Sequence, residues 1–366
     1  MEKTAKGLLT LSLLASLLGL AAIFSATRYD PELHSCLWKQ GAALVLGLVL
    51  WFPLSVLDIR ALLRRFWWLV AAGNVGLLLL LVPFGRDDGT GNRSWLTLPG
   101  GVFHLQPAEL VKVGFLLLLA LQLERRRERG LDRPASVLLL ALHGLGMTGL
   151  LWGTSGDMGM AAVFLALWFV TLWSGGIHPL WLLGILAVGL AGAVALWPRL
   201  PEYVRLRFLV VLDHDLDPLG KGFQQGRSLL ALGSGGLTGQ GYLRGIQTQS
   251  SSASSLPARH TDFIYSAIGE ELGLISCLAV LVLLGLIVFA CLRLSRQAED
   301  PFFRDAAMGA AGVFGVQTVL NIGMCLYAAP VVGVTLPFFS YGGSSLVSSL
   351  LLVGLLRSLV GRETGG

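Results

Sequence analysis

Charged residues are scarce in this sequence. Asp, Glu, Lys and Arg make up only 13% of its 366 residues, whereas 54% are hydrophobic and the mean hydropathy is +0.71. Soluble domains carry about 25% charged residues, so the composition excludes a soluble globular protein. The apolar residues form continuous runs rather than the alternating pattern of barrel strands. The composition therefore indicates an integral membrane protein built of helices.

The sequence also lacks the local signatures of several enzyme classes. No phosphate-binding glycine loop, dinucleotide-binding glycine motif, HExxH zinc motif or GxSxG nucleophile motif occurs. Nucleotide-driven and zinc-hydrolytic mechanisms therefore have no support in the sequence. The four cysteines have no metal or redox spacing and are interpreted as small buried hydrophobic residues; they are Cys36, Cys277, Cys291 and Cys325. The net charge of +5 lies mostly in short loops, which favours a topological role over nucleic-acid binding.

Ten apolar segments are each close to the roughly 20 residues that a membrane-spanning helix needs. They predict a single all-α polytopic membrane domain over residues 1–366, with helices at 8–27, 37–57, 66–84, 107–123, 135–152, 157–174, 179–197, 262–292, 306–328 and 344–360. The segment 198–261, between the seventh and eighth helices, is too long for an ordinary connection. It is predicted to be a large extracytoplasmic loop, ordered except at its flexible SSSASS tip.

The distribution of basic residues predicts the orientation of the chain. With the N-terminus in the cytoplasm, the inner segments hold fifteen Lys and Arg residues, and the short outer loops hold only four. Because basic residues concentrate in short cytoplasmic loops, both termini are predicted to be cytoplasmic. The outer segments are then 28–36, 85–106, 198–261 and 329–343, which carry nearly all of the unusual polar residues.

Ionisable residues inside membrane spans are energetically expensive and therefore mark candidate sites. Glu109 and Lys112 lie one helical turn apart at the start of the fourth span, so their side chains share one face. The sequence leaves two interpretations open: a structural ion pair, or a site where Lys112 meets an anionic headgroup. In both, the side chains face the bundle interior. Asp157, at the start of the sixth span, is either a helix cap or a further polar site.

The strongest candidate lies where the long loop meets the eighth span. Asp262 opens this span, and it follows Arg259, His260 and Thr261. The sequence leaves open whether Asp262 is a helix cap or a catalytic base. An ideal helix that starts at Asp262 places Ser266, Gly269 and Gly273 on its face and turns Glu271 to the opposite side. We therefore predict that Asp262 carries the chemistry, rather than Glu270 or Glu271.

Two outer loops offer further candidates. Arg93 in the second outer loop is predicted to donate to phosphate oxygens. The last outer loop, TLPFFSYGGSS, contains Pro337 and two consecutive glycines that interrupt a helix. Its hydroxyl groups are those of Ser340, Tyr341, Ser344 and Ser345. Because non-helical backbone at membrane depth must be buried in protein or line a cavity, this loop predicts a groove between the ninth and tenth spans.

Five motifs occur in one order along the chain: NRSW, QPAELVK, ALGSGGLTGQG, PARHTDFIYSAIGEELG and LPFFSYGGSS. In these motifs the chain resembles the SEDS family (shape, elongation, division and sporulation), the RodA/FtsW group of bacterial cell-wall polymerases, with the RodA branch favoured. The resemblance implies a ten-span peptidoglycan glycosyltransferase that polymerises lipid II at the outer face of the cytoplasmic membrane, for cell elongation and shape. It also implies a class B penicillin-binding transpeptidase and other elongation proteins as partners.

The resemblance assigns the family's essential aspartate to Asp262 and includes Glu109 and Lys112 in the site. Glycosyl transfer needs a base, charge stabilisation of the leaving group and alignment. Asp262 is expected to deprotonate the acceptor hydroxyl in one inverting displacement, while cations meet the undecaprenyl pyrophosphate of the donor. Substrate contacts are expected from Glu109, Lys112, Arg93, Asp157, Arg259, His260, Thr261, Ser340, Tyr341 and Ser344. No cofactor is required, although a divalent cation, Mg²⁺ or Mn²⁺, held by Asp262 is an open alternative.

Two other functions are compatible with the same residues. A flippase would move lipid II across the membrane through the Glu109–Lys112 pair, but it needs a polar path to the cytoplasmic side, and the candidate polar residues concentrate on the outer half. A scaffold that only recruits a transpeptidase would not need the intramembrane ionisable residues. The clustering of those residues therefore favours an enzyme.

Overall fold

The computed structural model of the chain describes residues 1–86, 92–97, 104–250, 252 and 255–364. It is a bundle of helices that follow the predicted spans. The helices are α1 (Glu2–Thr27), α2 (His34–Val56), α3 (Ile59–Leu79), α4 (Leu81–Phe84), α5 (Pro107–Arg127), α6 (Pro134–Ser155), α7 (Met158–Gly175), α8 (Pro179–Leu196), α9 (Glu202–Leu212), α10 (Phe223–Gly235), α11 (Ile264–Gln297), α12 (Pro301–Cys325) and α13 (Gly343–Thr364).

Nine helices in the described part of the chain are long and apolar enough to cross a membrane, with α3 and α4 together forming one of them. The remaining predicted span, the fourth, is α5, which composition alone does not mark because it carries Glu109 and Lys112 and ends in three arginines. Both side chains are buried inside the bundle, so lipid does not contact their charges. The predicted all-α polytopic membrane fold is confirmed.

The connections between helices define two ends of the bundle. The loop face carries the connections before α2, α5, α7, α11 and α13, whereas the termini face carries the short connections before α3, α6, α8 and α12. Arg357 near the end of α13 forms an ion pair with Glu2 at the start of α1, at 3.2 Å, which places both chain ends on the termini face. The cytoplasmic location of that face stays a prediction.

A small sheet lies on the loop face between α4 and α5. Its strands are β1 (Gly85–Arg86), β2 (Trp95–Thr97) and β3 (His104–Leu105), in the order β1-β2-β3 and antiparallel throughout. Gly85 pairs with Leu96, and Leu96 pairs with Leu105 on its other side. The sequence did not predict this sheet, because three strands of two or three residues are too short to show an alternating pattern.

The long loop is largely built into the bundle. It contains α9 and α10, and the segment after α10 pairs with α11 where that helix breaks at Gly273, whose φ is 76°. The break frees the amides of Leu274 and Ile275, which donate instead to the carbonyls of Gly236 at 2.9 Å and Leu237 at 3.2 Å. The loop thus replaces hydrogen bonds that a continuous helix would have made within itself.

The carbonyl groups freed by the break in α11 are also bonded to the long loop. The carbonyls of Glu270 and Glu271, freed by the same break, accept from the amides of Gln240 and Gly241, each at 2.9 Å. A Cβ at Gly239, where φ is +81°, would lie 2.1 Å from the Glu271 carbonyl oxygen, so this close approach requires glycine. The described part of the loop contains α9 and α10, and its order stays a prediction. The tip predicted to be flexible is the SSSASS stretch at 250–255, of which 251, 253 and 254 lie outside the described residues.

Candidate functional site

Asp262 lies just before α11 rather than on it. The helix begins at Ile264, and residues 257–263 form turns in which the amide of Phe263 donates to the carbonyl of Ala258 at 3.1 Å. The predicted helical face that Asp262 shares with Ser266 therefore does not hold. Ser266 faces α10 instead, where its Oγ lies 2.6 Å from the Oγ of Ser228.

The half-buried Asp262 carboxylate lies beside residues 329–336, which we term the strap. A Cβ at Gly333, where φ is +70°, would lie 3.9 Å from Asp262 Oδ2. On its other side the strap touches the start of α7, because a Cβ at Gly159 would lie 2.1 Å from the carbonyl oxygen of Val332. The strap therefore lies between Asp262 and the end of α7 at which Asp157 stands.

Asp157 caps α7 and also joins it to α5. Its Oδ1 accepts from the amide of Met160 at 2.9 Å, as in a helix cap, while its Oδ2 accepts from Gln106 Nε2 at 3.1 Å. The backbone N–H of Gln106 donates to Ser344 Oγ at 3.0 Å. The structure thus joins the starts of α5, α7 and α13, and the capping role of Asp157 does not exclude the other role proposed for it.

Glu109 and Lys112 form a buried ion pair. Lys112 Nζ donates to Glu109 Oε2 at 2.5 Å, and the two side chains are 0% and 1% exposed. The same carboxylate oxygen accepts from Ser348 Oγ on α13 at 2.8 Å. The prediction that both face the bundle interior is correct. In this conformation the ammonium group is closed off from solvent, so its contact with a headgroup stays a prediction.

Two serines of α13 connect this pair with the strap. The hydroxyl hydrogen of Ser348 is shared between Glu109 and the backbone carbonyl of Ser345, whose oxygen lies 3.0 Å from Ser348 Oγ, and Ser345 Oγ lies 2.9 Å from Thr335 Oγ1 in the strap. The predicted polar segment at the start of α13 is therefore in contact with both the ion pair and the strap next to Asp262.

His260 and Thr261 lie against the segment 336–342. The amide of Tyr341 donates to the His260 carbonyl at 2.8 Å, and Ser340 Oγ donates to the Thr261 carbonyl at 2.6 Å. The imidazole ring packs against Tyr341 with ring centroids 5.7 Å apart. Burial, helped by the nearby Arg259, lowers the pKa of His260 to about 4, so the ring is neutral near pH 7.

The two arginines among the candidates occupy different environments. Arg259 is 6% exposed and donates to the carbonyls of Ala26 at 2.9 Å, Gln247 at 3.3 Å and Ser250, so it braces the long loop against α1. Arg93 is exposed beside a cavity of about 320 Å³ that is also lined by Thr154 and Gly156. Of the two, Arg93 has the guanidinium that solvent reaches.

Glu270 and Glu271 are the residues whose role sequence reasoning missed. Glu270 Oε2 accepts from the amide and the hydroxyl of Thr248, both at 2.7 Å, and its Oε1 accepts from the amide of Gln247 at 2.7 Å. Glu271 accepts from Ser25 Oγ and Gln249 Nε2, each at 2.5 Å. Both carboxylates therefore hold the loop. Two adjacent buried acids in an apolar span were the signal that the sequence offered.

An apolar groove of about 220 Å³ runs between α1 and α11. It is lined mainly by aliphatic side chains, with Tyr242, Glu271 and Ser276 at its polar positions. Its aliphatic lining fits a hydrocarbon chain. No cluster of three His, Cys, Asp or Glu residues that could hold a metal ion occurs within the described ranges.

Comparisons with known proteins agree along almost the whole chain. A protein-family model for FtsW, RodA and SpoVE, described as cell cycle protein, matches residues 5–364. A probable peptidoglycan glycosyltransferase FtsW of Geobacter metallireducens is 33% identical, over 94% of this chain and 90% of that protein. A protein of the same name from Haemophilus influenzae is 35% identical over 76% of this chain and 70% of its own length.

Solved structures show the same fold. A peptidoglycan synthase complex, described by its structural coordination of polymerization and crosslinking, contains a chain with a TM-score of 0.80 and 35% identity, covering 98% of this chain and 97% of that one. The crystal structure of the rod shape determining protein RodA of Thermus thermophilus has a TM-score of 0.70 and 32% identity, with 98% and 96% covered.

Proposed function

This chain belongs to the FtsW, RodA and SpoVE family of cell cycle proteins, and from that premise we propose that it is a peptidoglycan glycosyltransferase that polymerises lipid II. The observation that carries the proposal is the similarity over 94% of the chain to a protein named as a probable peptidoglycan glycosyltransferase. The site described above supports it, because Asp262 belongs to a non-helical segment at the loop face and its half-buried carboxylate lies near several polar groups.

Asp262 is the proposed base. Its carboxylate takes the proton of the acceptor 4-hydroxyl as the acceptor oxygen bonds to the anomeric carbon of the donor. The bond from that carbon to the pyrophosphate oxygen breaks, and the lipid pyrophosphate leaves with the electron pair. A single displacement of this kind inverts the anomeric centre. Positioned bases contribute typically about 10²–10⁴-fold to a rate.

The exposed guanidinium of Arg93 is proposed to bind phosphate oxygens of a lipid-linked substrate, because Arg presents several donors to them. The buried Lys112 contributes in a conformation in which its ammonium is open to the substrate. Glu109 accepts hydrogen bonds from both Lys112 and Ser348, and so it joins Lys112 on α5 to α13. Asp157, Arg259, His260, Thr261, Ser340, Tyr341 and Ser344 shape the walls around the acceptor and donor.

A divalent cation fits this site in one way. Mg²⁺ is bound commonly by one or two carboxylates together with substrate phosphates and water, so the single carboxylate of Asp262 suffices when the donor pyrophosphate supplies the other oxygens. Such an ion would neutralise charge on the leaving group. Chelation followed by addition of Mg²⁺ or Mn²⁺ separates this role from that of a base alone, which does not respond to the metal.

The proposed location is the cytoplasmic membrane, with the loop face and its active site extracytoplasmic. Similarity to a chain of a peptidoglycan synthase complex that coordinates polymerization and crosslinking supports a class B penicillin-binding transpeptidase as partner. The curated relatives cited above carry the FtsW name, which favours that branch over RodA. A role in cell elongation and shape therefore stays a prediction, and depleting the protein and scoring filamentation against rounding tests it.

The deciding experiment is polymerisation of purified lipid II by the detergent-solubilised protein. We expect the wild type to form glycan strands, alone or with its transpeptidase partner, and Asp262→Asn to lose about 10²–10⁴-fold of the rate while keeping its fold. Detergent removes any transbilayer movement, so an inactive wild type in both assays would favour a flippase. An Asp262→Asn variant as fast as the wild type would disprove the base.

A further inference from the structure

The backbone around Asp262 is held by hydrogen bonds from distant segments and not by a helix. The carbonyls of His260, Thr261 and Asp262 are consecutive, and each accepts a hydrogen bond from a different donor: Tyr341 N at 2.8 Å, Ser340 Oγ at 2.6 Å and Asn321 Nδ2 at 2.8 Å. We term this set of three bonds the carbonyl clamp. Asp262 precedes α11, so the hydrogen bonds of that helix do not hold its backbone. The clamp therefore fixes the position of the Asp262 Cα.

Asn321 provides the bond closest to the carboxylate. It lies on α12, is 0% exposed, and donates through the same Nδ2 to the carbonyls of Asp262 and Val334, both at 2.8 Å. Cys325, one turn further along α12, donates Sγ to the Asp262 carbonyl at 3.7 Å. Asn321 therefore ties the backbone of Asp262 to the strap, whose Gly333 faces the carboxylate.

Gln40 supports the other two bonds from α2. It is 1% exposed, and its amide group spans Tyr341: Nε2 donates to the Ser340 carbonyl at 3.1 Å and Oε1 accepts from the Gly342 amide at 3.0 Å. Ser340 is held further because its Oγ accepts from the Leu336 amide at 2.8 Å. Gln40 thus fixes Ser340, one donor of the clamp, and Gly342, which follows the other donor, Tyr341.

We propose that Asn321 and Gln40 are positioning residues for Asp262, which act through the carbonyl clamp and contact no substrate. This inference rests on the proposed function, since it concerns the base of that reaction. A side-chain amide suits the task because its NH2 group can donate two hydrogen bonds and its oxygen can accept. Asn321 donates to the carbonyls of Asp262 and Val334, and Gln40 both donates to and accepts from the backbone on the two sides of Tyr341.

The chain provides a matched control at Gln317, one turn before Asn321 on α12. It is 1% exposed, and neither atom of its amide has a hydrogen-bond partner among the described residues. Gln40→Met and Gln317→Met make the same near-isosteric change at two buried glutamines. Only the first removes hydrogen bonds that lead to Asp262.

The test is steady-state polymerisation of lipid II by full-length variants, with thermal unfolding measured on the same samples. We expect Asn321→Leu to lower kcat about 100-fold, as a misplacement of about 1 Å can, and Gln40→Met to lower it about tenfold, because it acts through a further residue. KM for lipid II is expected to stay unchanged in both. Gln317→Met is expected to keep the wild-type kcat.

A second readout distinguishes positioning from a general structural defect. In the Asp262→Asn background, Asn321→Leu is expected to leave the residual rate unchanged, because the carboxylate that it positions has already gone. A further fall in that background would overturn the proposal. So would a wild-type kcat in Asn321→Leu or Gln40→Met, an effect confined to KM, or an equal fall in Gln317→Met.

The remaining outcomes are also decisive. If Asn321→Leu does not fold, Gln40→Met replaces it in both assays. If neither folds while Gln317→Met does, the amides serve folding and the proposal fails. If Asp262→Asn polymerises like the wild type, the proposed base fails; if it is inactive while Asn321→Leu is not, only the positioning role fails.

Discussion

Polar side chains bond to different partners at the two ends of the bundle. At the loop face, Glu270, Arg259 and Asn321 bond mainly to backbone groups of other segments. At the termini face, charged side chains pair with each other: Arg127 with Asp305 at 2.8 Å, and Arg64 with Glu124 at 2.7 Å. One end therefore uses polar groups to hold irregular chain, and the other uses them to hold helices together.

The difference follows from what each end must satisfy. The termini-face connections are short, and α3, α8 and α12 start there with a side-chain cap, as where Asp58 accepts from the Ala61 amide at 3.0 Å. Few backbone groups are left without partners. The loop face carries the long loop and the strap, whose backbone groups lie partly within protein and need partners from side chains. Irregular backbone near Asp262 thus requires the polar residues around it.

The largest stability effect is expected at the termini face, from Arg127→Leu. It leaves Asp305, whose side chain is 0% exposed, without its main partner, and breaking a buried pair costs about 3–5 kcal/mol. Arg304 Nε still lies 3.8 Å from Asp305 Oδ1, so the loss of unfolding free energy should be near the lower end of that range. Denaturation of the solubilised protein measures it, and the polymerisation rate per folded molecule should not change.

The double variant Arg127→Leu/Asp305→Leu sharpens this prediction. Removing both charges should recover most of the lost stability, because apolar pairs often replace buried ion pairs at no loss. A double variant as unstable as the single one would contradict the view that helix-to-helix charge pairing is what Arg127 contributes.

The next effect is expected at the loop face, from Glu270→Gln. Glutamine has one acceptor oxygen where the carboxylate uses two, so part of the bonding to Gln247 and Thr248 is lost, at about 1–3 kcal/mol. Because the partners are backbone amides, no second substitution can compensate. Here the polymerisation rate per folded molecule should also fall, as the loop beside Arg259 shifts.

Asp305→Asn is the control, since it makes the same acid-to-amide change at the termini face. Its stability should fall while its rate per folded molecule is retained. Equal losses of rate in Glu270→Gln and Asp305→Asn would remove the functional difference between the two ends.

The smallest effect is expected from Lys6→Ala at the termini face. The Lys6–Glu2 pair has a separation of 3.1 Å, but the side chains are 68% and 52% exposed. Solvent screens such pairs and side-chain ordering offsets them, so the melting temperature should not change measurably. A clear decrease would show that this end depends on exposed charge pairs as well as buried ones.

Residues near the break in α11 show where prediction from sequence stopped. The apolar run from Phe263 onwards correctly indicated a span, but an ideal helix from Asp262 misplaced Ser266 and assigned Glu271 no role. Gly273 alone did not reveal a break, because a glycine within an apolar span is compatible with a continuous helix. The break depends on the segment after α10, which is distant in sequence and supplies the missing hydrogen bonds.

Sequence alone determined the membrane class, the positions of the spans and the candidate status of Asp262, Glu109 and Lys112. Each of these depends on local properties: run length, the transfer cost of a charge and helical spacing. Only the tertiary structure decided that Glu270 and Arg259 brace the loop, that Lys112 is closed off, and that Gln40 and Asn321 hold the backbone at Asp262. Those roles depend on which distant backbone groups lack a partner, and that is settled only when the segments are packed together.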